Sequence, residues 1–256
     1  MAAIERAVLW GADYPDVGEV GLESVGEHAA IALSYGGEPK HWPSKTPNED
    51  AVAAVVGSRS TLLVVADGHE GYESVPASVG LILDHIGDDP PPADLSDSDL
   101  VDLFAEANEA ALSATGGGTG PATESRTTLI VALLAGPVVQ WASFGDSEIF
   151  LASAGDARSL GSPKLKFISY PMSRSDVDEH LDRGTVELDE DSWIVAASDG
   201  LTDYLGGRGV AASRVIPEII EPGHDPVSLA ETLVQGSFEG GAGDNVGLAV
   251  ARPVRD

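Results

Sequence analysis

The chain has 256 residues, 43% of them hydrophobic, enough to bury the core of one large domain, and no linker divides it. Its formal charge of −28, from 42 Asp+Glu against 14 Lys+Arg, argues against nucleic acid and anionic membranes as partners. The absence of cysteine excludes disulfides and thiolate metal sites, leaving oxygen and imidazole ligands.

The pattern predicts a first strand over residues 28–35, closed by Gly36-Gly37, and after a polar loop another over 51–56. Ser58-Arg59-Ser60 is short enough to turn a hairpin into a strand over 61–66. Val75, Val79, Ile82, Leu83 and Ile86 form one amphipathic helical stripe. Residues 97–112 form a second, led by Leu100, Leu103, Phe104 and Ala107, and Asp88 to Pro92 breaks the chain between them. A strand over 127–134 turns at Ala135-Gly136-Pro137 into 138–144, and 149–151 opens a further strand. Residues 152–191 carry only weak strand patterns and a polar helix near 176–181. Residues 193–197 read as a strand, 226–235 as a helix opened by proline, and the last strand ends at Arg252. Strand pairs on short turns, with helices inserted in pairs, imply antiparallel sheets covered by helices. The N-terminus lacks the basic-then-apolar pattern of a secretory signal, and no apolar run reaches membrane length; a cytoplasmic protein is expected.

Three apolar runs end on an acid: 61–66 at Asp67-Gly68-His69, 138–144 at Gly145-Asp146-Ser147, and 193–197 at Ser198-Asp199-Gly200. Two acid clusters stand just before a run, Asn48-Glu49-Asp50 ahead of 51–56 and Asp244-Asn245 ahead of 246–250. In an antiparallel sheet the end of one strand lies beside the beginning of its neighbour. If these strands are neighbours, their carboxylates collect at one edge, and a divalent cation is the natural partner for the resulting repulsion. Oxygen ligands from several strand ends suit Mg²⁺ or Mn²⁺. Two such ions about 3.5–4 Å apart can clamp both oxygens of an in-line displacement at phosphorus. The small Gly68 lets its carbonyl face a metal, and His69 beside it carries an imidazole, a side chain suited to general-acid work.

In order, Asn48-Glu49-Asp50-Ala51, Val65-Ala66-Asp67-Gly68-His69-Glu70-Gly71, Phe144-Gly145-Asp146-Ser147, Ala197-Ser198-Asp199-Gly200-Leu201-Thr202-Asp203 and Gly243-Asp244-Asn245 resemble the metal-dependent serine/threonine protein phosphatases (PPM type, type 2C class). The resemblance implies an α+β fold, a four-layer α-β-β-α sandwich of two antiparallel sheets flanked by helices, as a single domain over 1–256. It implies that Asp67 bridges two Mg²⁺ or Mn²⁺ ions. The Gly68 carbonyl and Glu49, the latter partly through water, would serve one ion, and Asp199 and Asp244 the other. Asp50 resembles the acid that orients metal-bound water, His69 matches the general acid for the leaving group, and Asp146 and Asp203 match acids of a third, weaker metal site. The implied reaction is phosphomonoester hydrolysis by direct attack of a metal-bridging hydroxide, without a phosphoenzyme.

The chain also departs from the family pattern. Lys45 stands where the family usually places the arginine that binds substrate phosphate, and lysine offers a point charge instead of a planar fork. Arg126 and Arg174 are candidates to compensate. Glu148 follows Gly145-Asp146-Ser147, where arginine is commoner in the family, and the span from Asp146 to Asp199 is short, so a reduced flap within 152–191 is expected. The glycine-rich stretch 116–120 lacks the ending of a P-loop and reads as a connector. The expected substrate is phosphoserine or phosphothreonine in proteins. A small phosphorylated metabolite is the alternative, and a catalytically silent binding protein the third reading.

Overall fold

The structure, a computed structural model, describes residues 4–41, 46–116 and 124–253; Lys45 and most of the 116–120 stretch lie outside the described residues. The chain opens with strands β1 (Glu5–Trp10), β2 (Val20–Val25), β3 (Ala29–Ser34), β4 (Ala51–Val56), β5 (Thr61–Ala66) and the short β6 (Gly68–His69). Helices α1 (Ser74–Ile86) and α2 (Asp97–Ala114) follow, then β7 (Arg126–Thr127), β8 (Leu129–Ala135), β9 (Val138–Phe144), β10 (Glu148–Ser153) and β11 (Asp156–Ser159). The remainder is α3 (Arg174–His180), β12 (Asp182–Glu187), β13 (Trp193–Ala197), α4 (Asp199–Thr202), α5 (Ala212–Ile219), α6 (Pro226–Glu239) and β14 (Val246–Ala251).

Two six-stranded antiparallel sheets result, ordered β1-β4-β5-β8-β9-β12 and β11-β10-β13-β14-β3-β2, with β6 and β7 as a small separate pair. Successive side chains of the central strands alternate between two apolar layers. In β4, Val52 and Ala54 face the opposing sheet, whereas Ala51, Ala53 and Val55 pack under α1 and α2. In β14, Ala249 and Ala251 face inward, whereas Val246, Leu248 and Val250 meet α4, α5 and α6. Because both faces are covered, these strands read as continuous apolar runs, unlike the alternating pattern of antiparallel sheets with one wet face. The layering is the expected α-β-β-α sandwich.

The helix boundaries have local causes. Ser96 and Asp99 form a reciprocal capping box at the start of α2, and Ser173 and Asp176 form another at α3. At α6, Pro226 occupies the first turn while the Asp225 carboxylate accepts from the Ser228 N–H at 2.9 Å. One expectation needs correction: the strand near residues 28–35 is the third, not the first. The earlier β1 and β2 are sheet edges with mixed polar and apolar residues. Gly18 and Gly26 bracket β2 as turn residues, but exposed and buried residues mix along β1 and β2 without a clean alternation, so neither shows an apolar run. No helix among the described residues is long and apolar enough to cross a membrane.

Candidate metal centre and active site

Strand register gathers the acids. Ala51 pairs with Ala66, so Asp50 and Asp67 emerge side by side from β4 and β5. Ala197 pairs with Leu248 in the other sheet, and the Ser198 N–H donates to the Gly247 carbonyl at 2.9 Å, bringing Asp199 alongside the 244–245 turn. Asp146 arrives from the end of β9, two strands from β5. The predicted acids therefore converge from both sheets onto one end of the sandwich. A cleft of about 650 Å³ opens there, lined by Glu49, Asp67, Gly68, His69, Asp199, Asp203 and Asp244.

Close backbone approaches make this convergence possible. A Cβ on Gly68 would collide with the Glu49 carbonyl, and one on Gly200 with the Asn245 carbonyl. Asn245 joins the two sheets: its Oδ1 accepts from the Glu49 N–H at 2.9 Å, and its Nδ2 donates to the carbonyls of Tyr35 at 3.0 Å and Pro47 at 3.2 Å. The Asp67 backbone is fixed from β7 and its link to β8, where Thr128 Oγ1 accepts its N–H at 3.0 Å and Thr127 Oγ1 donates to its carbonyl at 2.9 Å. Thr128 Oγ1 also shares a 2.7 Å hydrogen bond with Ser147 Oγ, tying the Asp146 turn to the same frame.

The carboxylates themselves are under-satisfied. Asp50 Oδ2, Asp67 Oδ2 and Asp146 Oδ1 are buried with no hydrogen-bond partner. Burial, followed by the charges of Asp50, Asp199, Asp244 and Asp146, pushes the Asp67 carboxyl well above the usual range. Burial and then Asp244 push Asp199 up to about 8. Burial pushes Asp50 to about 7, opposed by Lys40. Burial also raises Asp146, opposed by His69. Buried acids without partners on several converging oxygens fit hard divalent cations, which would supply both the missing contacts and the missing charge. One such group is already compact: potential ligand atoms of Asp67, His69 and Asp146 lie within 4.8 Å of one another. Glu49, 2% exposed, accepts from the Thr46 N–H at 3.2 Å and hydroxyl at 3.0 Å.

His69 Nδ1 lies 3.4 Å from Asp67 Oδ1 without hydrogen-bond geometry, and its ring packs on Phe167 with centroids 4.8 Å apart. Arg126, opposite His69 across the β6–β7 pair, places its guanidinium 5.3 Å from the centroid of the same Phe167 ring. Arg174 is committed elsewhere, bonded to Asp102 and Ser98 on the outside of α2, and is not a phosphate ligand. Asp203 caps α4 and is exposed at the cleft rim. Sequence reasoning did not find Lys40, Tyr204 and Arg208, which also line the cleft. They belong to no motif, and only the fold carries the 38–41 loop and the glycine-flanked Arg208 to the acids.

The sequence profile of the family described as protein phosphatase 2C matches residues 38–232. The chain belongs to the protein phosphatase 2C family, a class of metal-dependent phosphatases. Among curated proteins no sequence matches significantly. Solved structures share the fold at low identity. The catalytic domain of the serine threonine protein phosphatase PstP, in complex with 2 manganese ions, is 22% identical with a TM-score of 0.67, covering 93% of this chain and 100% of that one. A bacterial serine phosphatase is 18% identical with a TM-score of 0.68, covering 89% and 98%. The Mycobacterium tuberculosis serine/threonine phosphatase PstP/Ppp is 19% identical with a TM-score of 0.62, covering 91% and 99%.

Proposed function

We propose that this phosphatase removes phosphate from phosphoserine or phosphothreonine in proteins, using two Mg²⁺ or Mn²⁺ ions held by the converged acids. The observation that carries the reading is the buried Asp67 carboxylate, with an unpartnered oxygen among acids drawn from both sheets. In this assignment Asp67 would be shared between the ions, Glu49 and the Gly68 carbonyl would hold one, and Asp199 and Asp244 would hold the other; Asp146 and Asp203 would hold a weaker third ion. Bound divalent cations supply Lewis acidity toward phosphoryl oxygens and lower the pKa of water.

The chain's own groups do the rest. Asp50, wedged between Gly68 and Ser198, orients the attacking water. His69, held by Phe167 beside Asp67, gives its proton to the departing serine or threonine oxygen. The acid floor repels phosphate until it is neutralised, so turnover depends on cations. Lys45 is assigned to hold substrate phosphate as a point charge. Residues 1–256 form one phosphatase domain, and the short β11 and α3 support a reduced flap within 152–191.

Metal content and aryl-phosphatase activity of one preparation, before and after chelation, test this. Both should vanish together and return with Mn²⁺; persistence of activity in stripped protein would overturn the metal centre, and inactivity of Mn²⁺-loaded protein would leave the silent binding protein. Phosphopeptides and a panel of phosphorylated metabolites at equal Mn²⁺ then decide the substrate. Higher kcat/KM on metabolites throughout would replace the protein substrate.

A further inference from the structure

One cation is built into the acid cluster itself. Lys40 Nζ lies 3.6 Å from Asp244 Oδ1, and the lysine side chain is only 10% exposed. Lysine is seldom buried so deeply without a partner. The arginines and the other lysine of the described ion pairs are more exposed, as in Arg59 with Asp89, Lys164 with Asp182 and Arg174 with Asp102.

The placement of Lys40 is enforced by backbone pairing. The Glu38 N–H donates to the Ala242 carbonyl at 2.9 Å and the His41 N–H to the Gly243 carbonyl at 3.0 Å, so the 38–41 segment runs along the turn that carries Asp244. Between them, the Lys40 N–H donates to Tyr35 Oη at 3.3 Å. Gly243 has no side chain where one would strike the His41 ring, and His41 Nδ1 is hydrogen-bonded to Tyr204 Oη at 3.1 Å. Lys40 is thereby held over Asp244 from both flanks. Its charge also acts on Asp50 across the cluster.

We infer that Lys40 is a tethered counter-ion that neutralises Asp244 in the metal-free protein and competes with a divalent cation for that carboxylate. The inference rests on the metal-centre reading above and concerns how tightly that centre is loaded. An ammonium a few ångströms from a divalent cation repels it, and its pairing with Asp244 must be given up when the carboxylate turns to a metal. Lys40 accordingly stabilises the empty protein and weakens the Asp244-side site. It is a positioning residue, set against metal loading and not against the reacting phosphate.

Calorimetric titration of metal-free protein with Mn²⁺ at about 0.15 M salt, where exposed charges are screened, reads this without any turnover. Lys40→Met should tighten one Mn²⁺ site by about tenfold and lower the melting temperature of the metal-free protein by a few degrees. Lys40→Arg, which keeps the charge, should restore values near those of the unaltered chain. In an Asp244→Asn background, Lys40→Met should no longer change Mn²⁺ affinity, because the competed carboxylate is gone. Unchanged or weaker Mn²⁺ binding in folded Lys40→Met protein would overturn the inference and make Lys40 a support for Asp244. Absence of Mn²⁺ binding in every form, including the unaltered chain, would overturn the metal centre and this inference together.

Discussion

The two ends of the sandwich are built from the same strands and treat their acids in opposite ways. At one end Asp50, Asp67 and Asp199 are buried together and their carboxyls are pushed upward. At the other end Asp89 accepts from the Ser58 N–H at 2.8 Å and from the Ser58 hydroxyl at 2.9 Å, and Arg59 stands beside it. Hydrogen bonds from Ser58 and the charge of Arg59 hold its carboxyl below the usual range. That end also carries a groove of about 800 Å³, yet its lining includes one carboxylate, Glu190, among the described residues. A larger opening without frustrated charge offers nothing to a cation. The two ends differ in acids the fold leaves unsatisfied, and that difference, more than the size of a cavity, picks out the candidate site.

The sharpest way to break the comparison is Asp67→Asn. It should lower kcat/KM by more than about a hundredfold, beyond what loss of a supporting hydrogen bond to a metal ligand costs. It should simultaneously raise the melting temperature of the metal-free protein, since the cost of burying an acid that the folded state must protonate is removed. Full activity, or a less stable metal-free protein, would show that Asp67 is satisfied within the chain.

A pH series on chelated protein gives an intermediate effect. The folded-state values of Asp50 and Asp199 lie at about 7 and about 8, above the ordinary carboxylate value of 3.8. Between about pH 4 and about pH 8 the folded state therefore holds more protons than the unfolded chain. Stability is greatest at the acid side of this window and is lost as pH rises through it. Melting temperature in chelator should fall from pH 5 to pH 8, Mn²⁺ should flatten the slope, and Asp199→Asn should reduce it. A flat profile in chelator would remove the contrast between the ends.

The smallest effect belongs to the satisfied end. Asp89→Asn should shift the melting temperature by no more than about 2 °C and leave Mn²⁺ affinity and turnover unchanged. A loss of metal binding in that variant would mean that the two ends are coupled.

Most of what positions the site was legible. The bounds of β4, β5, β9 and β13 coincide with the apolar runs that precede or follow an acid, because strands buried on both faces are mostly apolar along their length. The amphipathic stripes of α1 and α2 were equally clear. The edge strands β1 and β2 were not, and neither was α5, which is short and carries Pro217. Arg174 shows the same limit within the site: the sequence offers it as one arginine that could compensate for Lys45, and only the packing of α3 on α2 shows it bonded to Asp102.

The sequence by itself determined the family, the layered fold and the identity of the acids, because strand ends, glycines and carboxylates are local features with local signatures. Only the tertiary structure decided which charges meet. The register of β4 with β5 sets Asp50 beside Asp67, and the register of β13 with β14 sets Asp199 beside the Asp244 turn. Pairing of residues 38–41 with residues 242–243 seats Lys40 over that turn, across about two hundred positions of chain. Electrostatic energy depends on distance and burial, and neither is written in the order of residues.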